Sequence, residues 1–367
     1  MRAVVPIVSV ATLGLLSVFT LVGIAPGLWL RQAIFVFLSI CLTIACAQVP
    51  FRAWLAHRWW LYGITLLLLI LPLVLGMATR NTTRWIELGL FNLQPSQLII
   101  PFVGLSVVTI ATAVGSDWKR MGQLAGIVAI PWLSVFISPD LDTAMVIALS
   151  LASVLWFGNF KAKTLGVLAL GVVGGAGIAW SFLLKPYQQE RVFQFIQGAD
   201  NQASLHYNSL QAHVAIGNGG LFGQGWREGS QAMLSFLPER QTDFWFSSFA
   251  EQSGFAGVTL LLGVYVILVS WLLYTATTHP RKPEQLYLFI VATNLVIQVF
   301  LNIGMNAGLL PISGITLPFA SYGGSSMLSL GILLGIAVSA ANTSSQHKGA
   351  MAWYNLPSRL LQNKGNV

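Results

Sequence analysis

The chain has 367 residues, 55% of them apolar and only 8% charged, with a formal net charge of +8 at pH 7. Soluble domains carry roughly 25% charged residues, and 19 basic plus 11 acidic side chains cannot cover a soluble fold of this length while so many apolar groups stay dry. A soluble enzyme, a disordered chain and a disulfide-stapled secreted domain are thereby excluded, and the composition implies an all-α polytopic membrane protein.

A helix needs about 20 largely apolar residues to cross the hydrocarbon. In chain order such stretches fall at 3–24, 31–49, 59–78, 96–113, 121–137, 142–158, 163–184, 245–275, 284–309 and 317–341, which predicts ten transmembrane helices in one domain, 1–341. The first follows only Met1 and Arg2 and lacks a small-residue cleavage site, so it is expected to remain as a span. The stretches are continuously apolar and do not alternate, which argues against membrane strands. Cys41 and Cys46 lie within the second and have no metal-ligand spacing; packing is the expected role. Between the seventh and eighth, residues 185–244 form a polar segment too long for a simple connection, expected to be a large, partly ordered extracytoplasmic loop. The tail 342–367, with Ser, Gln, Asn and Lys, is expected to be cytoplasmic and disordered.

With the N-terminus placed in the cytoplasm, 12 of the 19 Lys and Arg residues fall on the inner side and seven on the outer, the direction of the positive-inside rule. Nine of the 11 acids then lie outside, and an even number of spans returns the C-terminus to the cytoplasm. The basic balance is therefore topological. No basic stripe with interleaved aromatics points to nucleic acid. Gly171 and Gly175 make a GxxxG that predicts a close helix contact.

In a chain so poor in charge, ionisable groups near the membrane boundary are either paired or functional. Asp140 and Asp142, in ISPDLDT, suit a helix cap as well as a site. Glu251 lies one or two turns inside an apolar stretch, where a lone carboxylate is harder to dismiss as structural. Asp243 opens a helix among Arg240, Phe244, Trp245 and Phe246, where desolvation could tune a base, although an Asp here could equally be a cap. Arg80, Arg84, Arg191, Arg227 and Arg240 share the outer side and suit a phosphate-bearing ligand, although each alone reads as well as a headgroup anchor. His206 and His213 are too isolated for a metal triad, and no elbow motif supports Ser-His-Asp catalysis.

Several segments together resemble the SEDS family (shape, elongation, division and sporulation), in particular its RodA branch. Arg84, Trp85 and Ile86, followed by Leu93, Gln94, Pro95 and Ser96, are similar to the family's RWI…FQPSE. Pro139, Asp140, Leu141 and Thr143 resemble PDLGT, and Leu237 to Phe244 resembles LPERHTDF, with Arg240 favouring RodA over the FtsW branch. Tyr187, Gln188, Arg191, Gln211 and the glycines 217, 219, 220, 223, 225 and 229 follow in the family's order. So do Asn302 to Met305, Gly308 to Pro311, Leu317 to Phe319 and Ser321 to Ser325. The resemblance covers most of the chain from 80 to 330.

It implies a peptidoglycan glycosyltransferase that polymerises lipid II at the outer face of the bacterial inner membrane, beside a class B penicillin-binding protein. It implies that Asp243 is the essential acid, acting as general base. Arg84, Arg191 and Arg240, or a bound divalent cation (Mg or Mn), would steady the pyrophosphate, and Gln211, Glu251, Asp140, Ser321 and Tyr322 would complete the substrate site. The chain also departs from the pattern. Gln97 and Ile100 stand where the family has Glu and Lys, Gln241 replaces His, Gln252 replaces the second Glu of EELG, and Asp142 replaces Gly. Loss of a paired Glu and Lys together is compatible with activity, since removing a buried pair whole costs less than breaking it. A lipid II flippase and a catalytically weakened scaffold for the penicillin-binding protein are the alternatives.

Overall fold

The computed structural model describes residues 3–75, 85–87, 92–138, 140–178, 181, 189, 203–233 and 236–354. It is almost entirely helical. The order is α1 (Val4–Ile24), α2 (Trp29–Gln48), α3 (Phe51–Ala56), α4 (Arg58–Leu75), a two-stranded ribbon of β1 (Ile86–Glu87) and β2 (Asn92–Leu93), and a 3-10 turn (Pro95–Leu98) leading into α5 (Ile99–Ala111). Then come α6 (Asp117–Ile137), α7 (Leu141–Phe157), α8 (Ala162–Ile178), α9 (Ala203–Asn218), α10 (Ser230–Met233), α11 (Trp245–Thr278), α12 (Lys282–Asn306) and α13 (Gly324–Tyr354). Among the described residues, six helices are long and apolar enough to cross a membrane: α1, α2, α6, α11, α12 and α13. Shorter apolar helices cover Arg58–Pro72, Pro95–Ala111, Leu141–Phe157 and Ala162–Gly171.

The packing has a centre and a rim. Helix α12 lies at the centre, against α7, α11 and α13, and Leu286, Tyr287, Leu288, Ile290 and Val291 along it are fully buried. The rim helices turn Leu15, Phe37, Trp60, Trp156 and Leu170 outward, an apolar exterior that suits lipid. Helices α2 and α13 meet most extensively, and the reason is small residues. Gly331 and Gly335, a GxxxG on α13, lie so close to α2 that a Cβ on either would run into Ser39 or Cys46 at 2.7 and 2.6 Å. Thr43 reaches across the seam and donates to the Gly331 carbonyl at 3.1 Å. The close contact expected at Gly171 is not found, since a Cβ there meets open space. The GxxxG pattern is a licence for close approach, and only a glycine that faces a neighbouring helix uses it.

Two further expectations change. The stretch 317–323 is not helical; its Leu317 amide is held by the Ser321 hydroxyl at 2.9 Å, and α13 starts only at Gly324. At the other end α13 runs on to Tyr354, so the tail expected to be disordered from 342 begins as helix, carried by the helix formers Gln346, Lys348, Ala350, Met351 and Ala352.

Candidate active site

One end of the bundle gathers the N-terminal ends of α7 and α13, the C-terminal end of α12, the ribbon and the turn before α11 around a cavity of about 690 Å³. Asp243 lines it from the turn that opens α11. That turn is closed by Thr242 and Phe244 amides donating to the Glu239 carbonyl at 3.0 and 3.3 Å, with Glu239 in a left-handed conformation at φ 49°. Two amides of α12 then fix Asp243. Asn302 Nδ2 and Asn306 Nδ2 donate to its carbonyl at 3.0 and 3.1 Å, and Asn302 also reaches the Ile315 carbonyl at 2.7 Å. The Tyr322 amide donates to the Gln241 carbonyl at 2.9 Å, so the turn is tied to the segment before α13 as well.

The neighbouring carboxylates divide between support and site. Asp140 is the cap of α7, accepting the Thr143 amide at 3.4 Å and the Gln94 side-chain amide at 2.9 Å. Gln94 itself is placed by the ribbon, and its backbone amide is held by Ser325 Oγ at 3.0 Å. Asp142, where the family pattern has Gly, accepts the Gly314 amide at 3.0 Å. A Cβ built on Gly314 would sit 3.9 Å from an Asp142 oxygen and 4.0 Å from an Asp243 oxygen, so these two carboxylates face the same small space. Gln97 and Ile100 line the cavity too, giving a neutral wall where the family pattern carries Glu and Lys.

The remaining expected residues fall in different places. Tyr322 lines the cavity. Ser321 is buried in the turn behind it, where its carbonyl accepts Gln32 Nε2 at 3.2 Å. Arg240 and Gln211 are half-buried outside the cavity lining, and the Arg240 carbonyl accepts from Ser248 Oγ at 3.2 Å. Glu251 is fully buried; one carboxylate oxygen accepts the Gln231 amide at 2.9 Å, and Gly229 packs against the other. It anchors the preceding segment to α11. Arg84 and Arg191 lie outside the described residues, as do Arg80 and the side chain of His206.

Sequence reasoning missed Arg31, the single basic side chain that lines the cavity among the described residues, along with Glu239, Thr242 and Gln298. It also missed the asparagine clamp, whose signal was two amides four residues apart on an otherwise apolar stretch. Among the described residues no group of three His, Cys, Asp or Glu is placed to hold a metal. A divalent cation beside Asp142 and Asp243 would draw its other ligands from water and substrate phosphates, the usual habit of Mg.

This arrangement puts a carboxylate, held in place through its own backbone, at the wall of a partly polar cavity at the end of an apolar bundle. The sequence pattern of the FtsW/RodA/SpoVE cell cycle proteins matches residues 1–346. The chain belongs to this family. It is 33% identical to the peptidoglycan glycosyltransferase MrdB of Escherichia coli (strain K12) over 307 residues, 82% of each chain. It is 31% identical to a probable peptidoglycan glycosyltransferase FtsW of Coxiella burnetii over 328 residues, 86% of this chain and 87% of that one. The solved rod shape determining protein RodA of Thermus thermophilus superposes with a TM-score of 0.67 at 27% identity, covering 91% of this chain and 94% of that one. A chain from a peptidoglycan synthase complex that coordinates polymerization and crosslinking superposes better, at TM-score 0.78 and 28% identity, over 92% and 97%. In this SEDS protein the Asp243-Phe244 pair places its acid on the cavity wall, with Asn302 of the Asn-Ile-Gly stretch behind it.

Proposed function

We propose that this chain is a peptidoglycan glycosyltransferase of the RodA branch, joining lipid II disaccharides into glycan strands at the outer face of the cytoplasmic membrane. The observation that carries the reading is Asp243, lining a 690 Å³ cavity and backed by Asn302 and Asn306. An acceptor sugar hydroxyl attacks the anomeric carbon of the lipid-linked donor. Its proton passes to Asp243 as the new glycosidic bond forms, and the bond to the pyrophosphate breaks with inversion at that carbon. The leaving group is already ionised, so the site needs cations over it more than an acid. Arg31 lines the cavity; Arg84 and Arg191 are proposed to join it there, and Arg240, outside the lining beside Gln241, to act from the rim. Asp140 and Gln94 support the wall, Glu251 and Gln211 the loop behind, and Ser321 the turn that presents Tyr322.

The six long helices and four shorter apolar ones are read as ten spans with both termini cytoplasmic, in one domain, and residues 185–244 as the large outer loop. On that reading the cavity opens at the outer leaflet, where a lipid-linked donor arrives with its prenyl chain between helices. The solved relative from a synthase complex supports a class B penicillin-binding protein as partner, with crosslinking following polymerisation.

The test is polymerisation of labelled lipid II by the purified protein with its cognate penicillin-binding protein, comparing wild type with Asp243→Ala and Asp243→Asn. Both variants keep the backbone carbonyl that the asparagines hold, so they should fold normally and make no glycan. An active Asp243→Ala protein overturns the base assignment. Absence of chains from the wild type, even with its partner, favours the scaffold reading.

A further inference from the structure

The outer segment that follows α9 has a construction unlike a solvent loop. Helix α11 is broken at Gly254, whose φ of 63° and ψ of −165° interrupt an otherwise continuous 34-residue helix. A break frees backbone groups on both sides, and residues 219–225 satisfy them. The Phe255 and Ala256 amides donate to the Gly220 and Leu221 carbonyls at 2.9 and 3.0 Å. In return the Gln224 and Gly225 amides donate to the Glu251 and Gln252 carbonyls at 2.9 and 3.3 Å, and the Gly223 amide closes its own turn on Gly219 at 2.7 Å. The two backbones touch: a Cβ on Gly254 would run into the Gly223 amide nitrogen, and one on Gly223 into the Gln252 carbonyl.

Non-helical backbone at membrane depth is tolerated where its polar groups are paired within the protein, and the four bonds across the break supply such pairs. The side chains at the tip are apolar and turned outward. Phe222 is 83% exposed and Leu221 68%, and they continue an apolar strip formed by Phe255, 66% exposed, and Phe19, 53% exposed, on α11 and α1. Trp226 stacks on Phe19 with ring centroids 6.0 Å apart. Arg227 lies over Trp226 at 4.8 Å and donates to the Val22 carbonyl at 3.3 Å, the aromatic and cationic pairing that marks a membrane interface. No charged residue occurs from 219 to 226. Depth agrees as well. Gly254 lies 24 residues above the end of α11 at Thr278, a rise of about 36 Å at 1.5 Å per residue, which sets the break at the outer boundary of a hydrocarbon core roughly 30 Å thick.

We propose that residues 219–226 form a wedge inserted into the outer leaflet, with Leu221 and Phe222 among the lipid acyl chains, Trp226 and Arg227 at the headgroup level, and Glu228 in water. The occupant of the exposed strip is lipid, because residues 220 and 221 bond the backbone of 255 and 256, and Phe19 and Phe255 are turned outward on helices long and apolar enough to cross a membrane. The wedge fixes the height of the segment that leads through Gly229 and Glu251 towards the turn bearing Asp243. The inference concerns membrane depth and stands whether or not the glycosyltransferase reading holds.

Spin labels at single cysteines test it, in the full chain reconstituted in phosphatidylethanolamine–phosphatidylglycerol vesicles. The background is Cys41→Ser with Cys46→Ala, and labels go at Phe222→Cys, Phe255→Cys and Glu228→Cys. Collision with oxygen reports lipid, and collision with a water-soluble nickel chelate reports solvent. The label at 222 should match that at 255, oxygen-rich and several-fold less accessible to nickel than the label at 228. A label at 222 as nickel-accessible as that at 228 overturns the wedge. Adding the cognate penicillin-binding protein should leave the 222 signal unchanged. Protection of 222 from oxygen only in the complex would assign the strip to that partner and overturn the lipid assignment.

Discussion

The cavity sorts its carboxylates by what each already holds. Asp140 spends both oxygens on the Thr143 amide and on Gln94, so its contribution is chiefly to shape. Replacing a capping Asp with Ala costs about 1 kcal/mol. Asp140→Ala should therefore lower the thermal midpoint of the purified protein, while Asp140→Asn, which still accepts at the cap, should restore the midpoint and most of the polymerising activity. An Asp140→Asn protein with a normal midpoint and no activity would show that the charge itself is used. Arg31 makes the opposite case. It lines the cavity from the start of α2 and carries the guanidinium that a pyrophosphate needs. Losing one charge-assisted contact removes about 1.5–3 kcal/mol, so Arg31→Ala should raise KM for lipid II about tenfold or more. An unchanged KM would remove Arg31 from the site. Asp243 stood out in the sequence as an acid beside three aromatics, a setting that suits a cap equally well; the family resemblance singled it out, and the fold puts it on the cavity wall. Arg31 did not stand out, because a lone Arg at a span boundary is ordinary topology, and only the fold brings it across to α7 and α13.

At the level of helices, hydropathy finds apolar stretches but is blind to how they meet or break. Gly171 and Gly175 on one side and Gly331 and Gly335 on the other read identically as GxxxG, yet a Cβ on Gly331 or Gly335 runs into a neighbouring helix and one on Gly171 does not. The difference is that α13 is a buried helix against α2, whereas a Cβ on Gly171 meets nothing. Gly331→Leu should therefore force α2 and α13 apart and lower the yield of folded protein sharply, since overpacking a close seam costs about 1–3 kcal/mol or more. Gly171→Leu should leave both yield and thermal midpoint near wild type. Size-exclusion profiles and thermal melts of the two variants in the same detergent decide it, and equal behaviour would mean the α2–α13 seam can relax. The break at Gly254 was hidden for a related reason. A glycine inside a 34-residue apolar helix looks tolerable by propensity alone, and only the partner backbone of residues 219–225 explains it.

For the whole molecule, orientation rests on charge and site position together. Twelve of the 19 basic residues fall on the side predicted to be inner, including Arg58, Lys119, Arg120, Lys161 and Lys163 at short connections, where the positive-inside rule has force. Two of these connections are also tied to each other: Arg120 bonds Asp117 at 2.6 Å, and the Lys161 amide donates to the same carboxylate at 2.9 Å. The cavity lies at the opposite end of α7, around Asp140 and Asp142, which is the end that the charge bias predicts to be outer. A membrane-impermeant maleimide applied to cells with a permeable outer layer should label Glu228→Cys without lysis and Lys161→Cys only after the inner membrane is opened. Both substitutions belong in a background with Cys41 and Cys46 replaced, because Cys41 is exposed. Labelling in the reverse order would invert the molecule, put Asp243 on the cytoplasmic side and remove the outer-face polymerase reading with it. The expected order instead leaves the pyrophosphate of a lipid-linked donor level with Arg31 and Asp243, at the depth where such a lipid presents its headgroup.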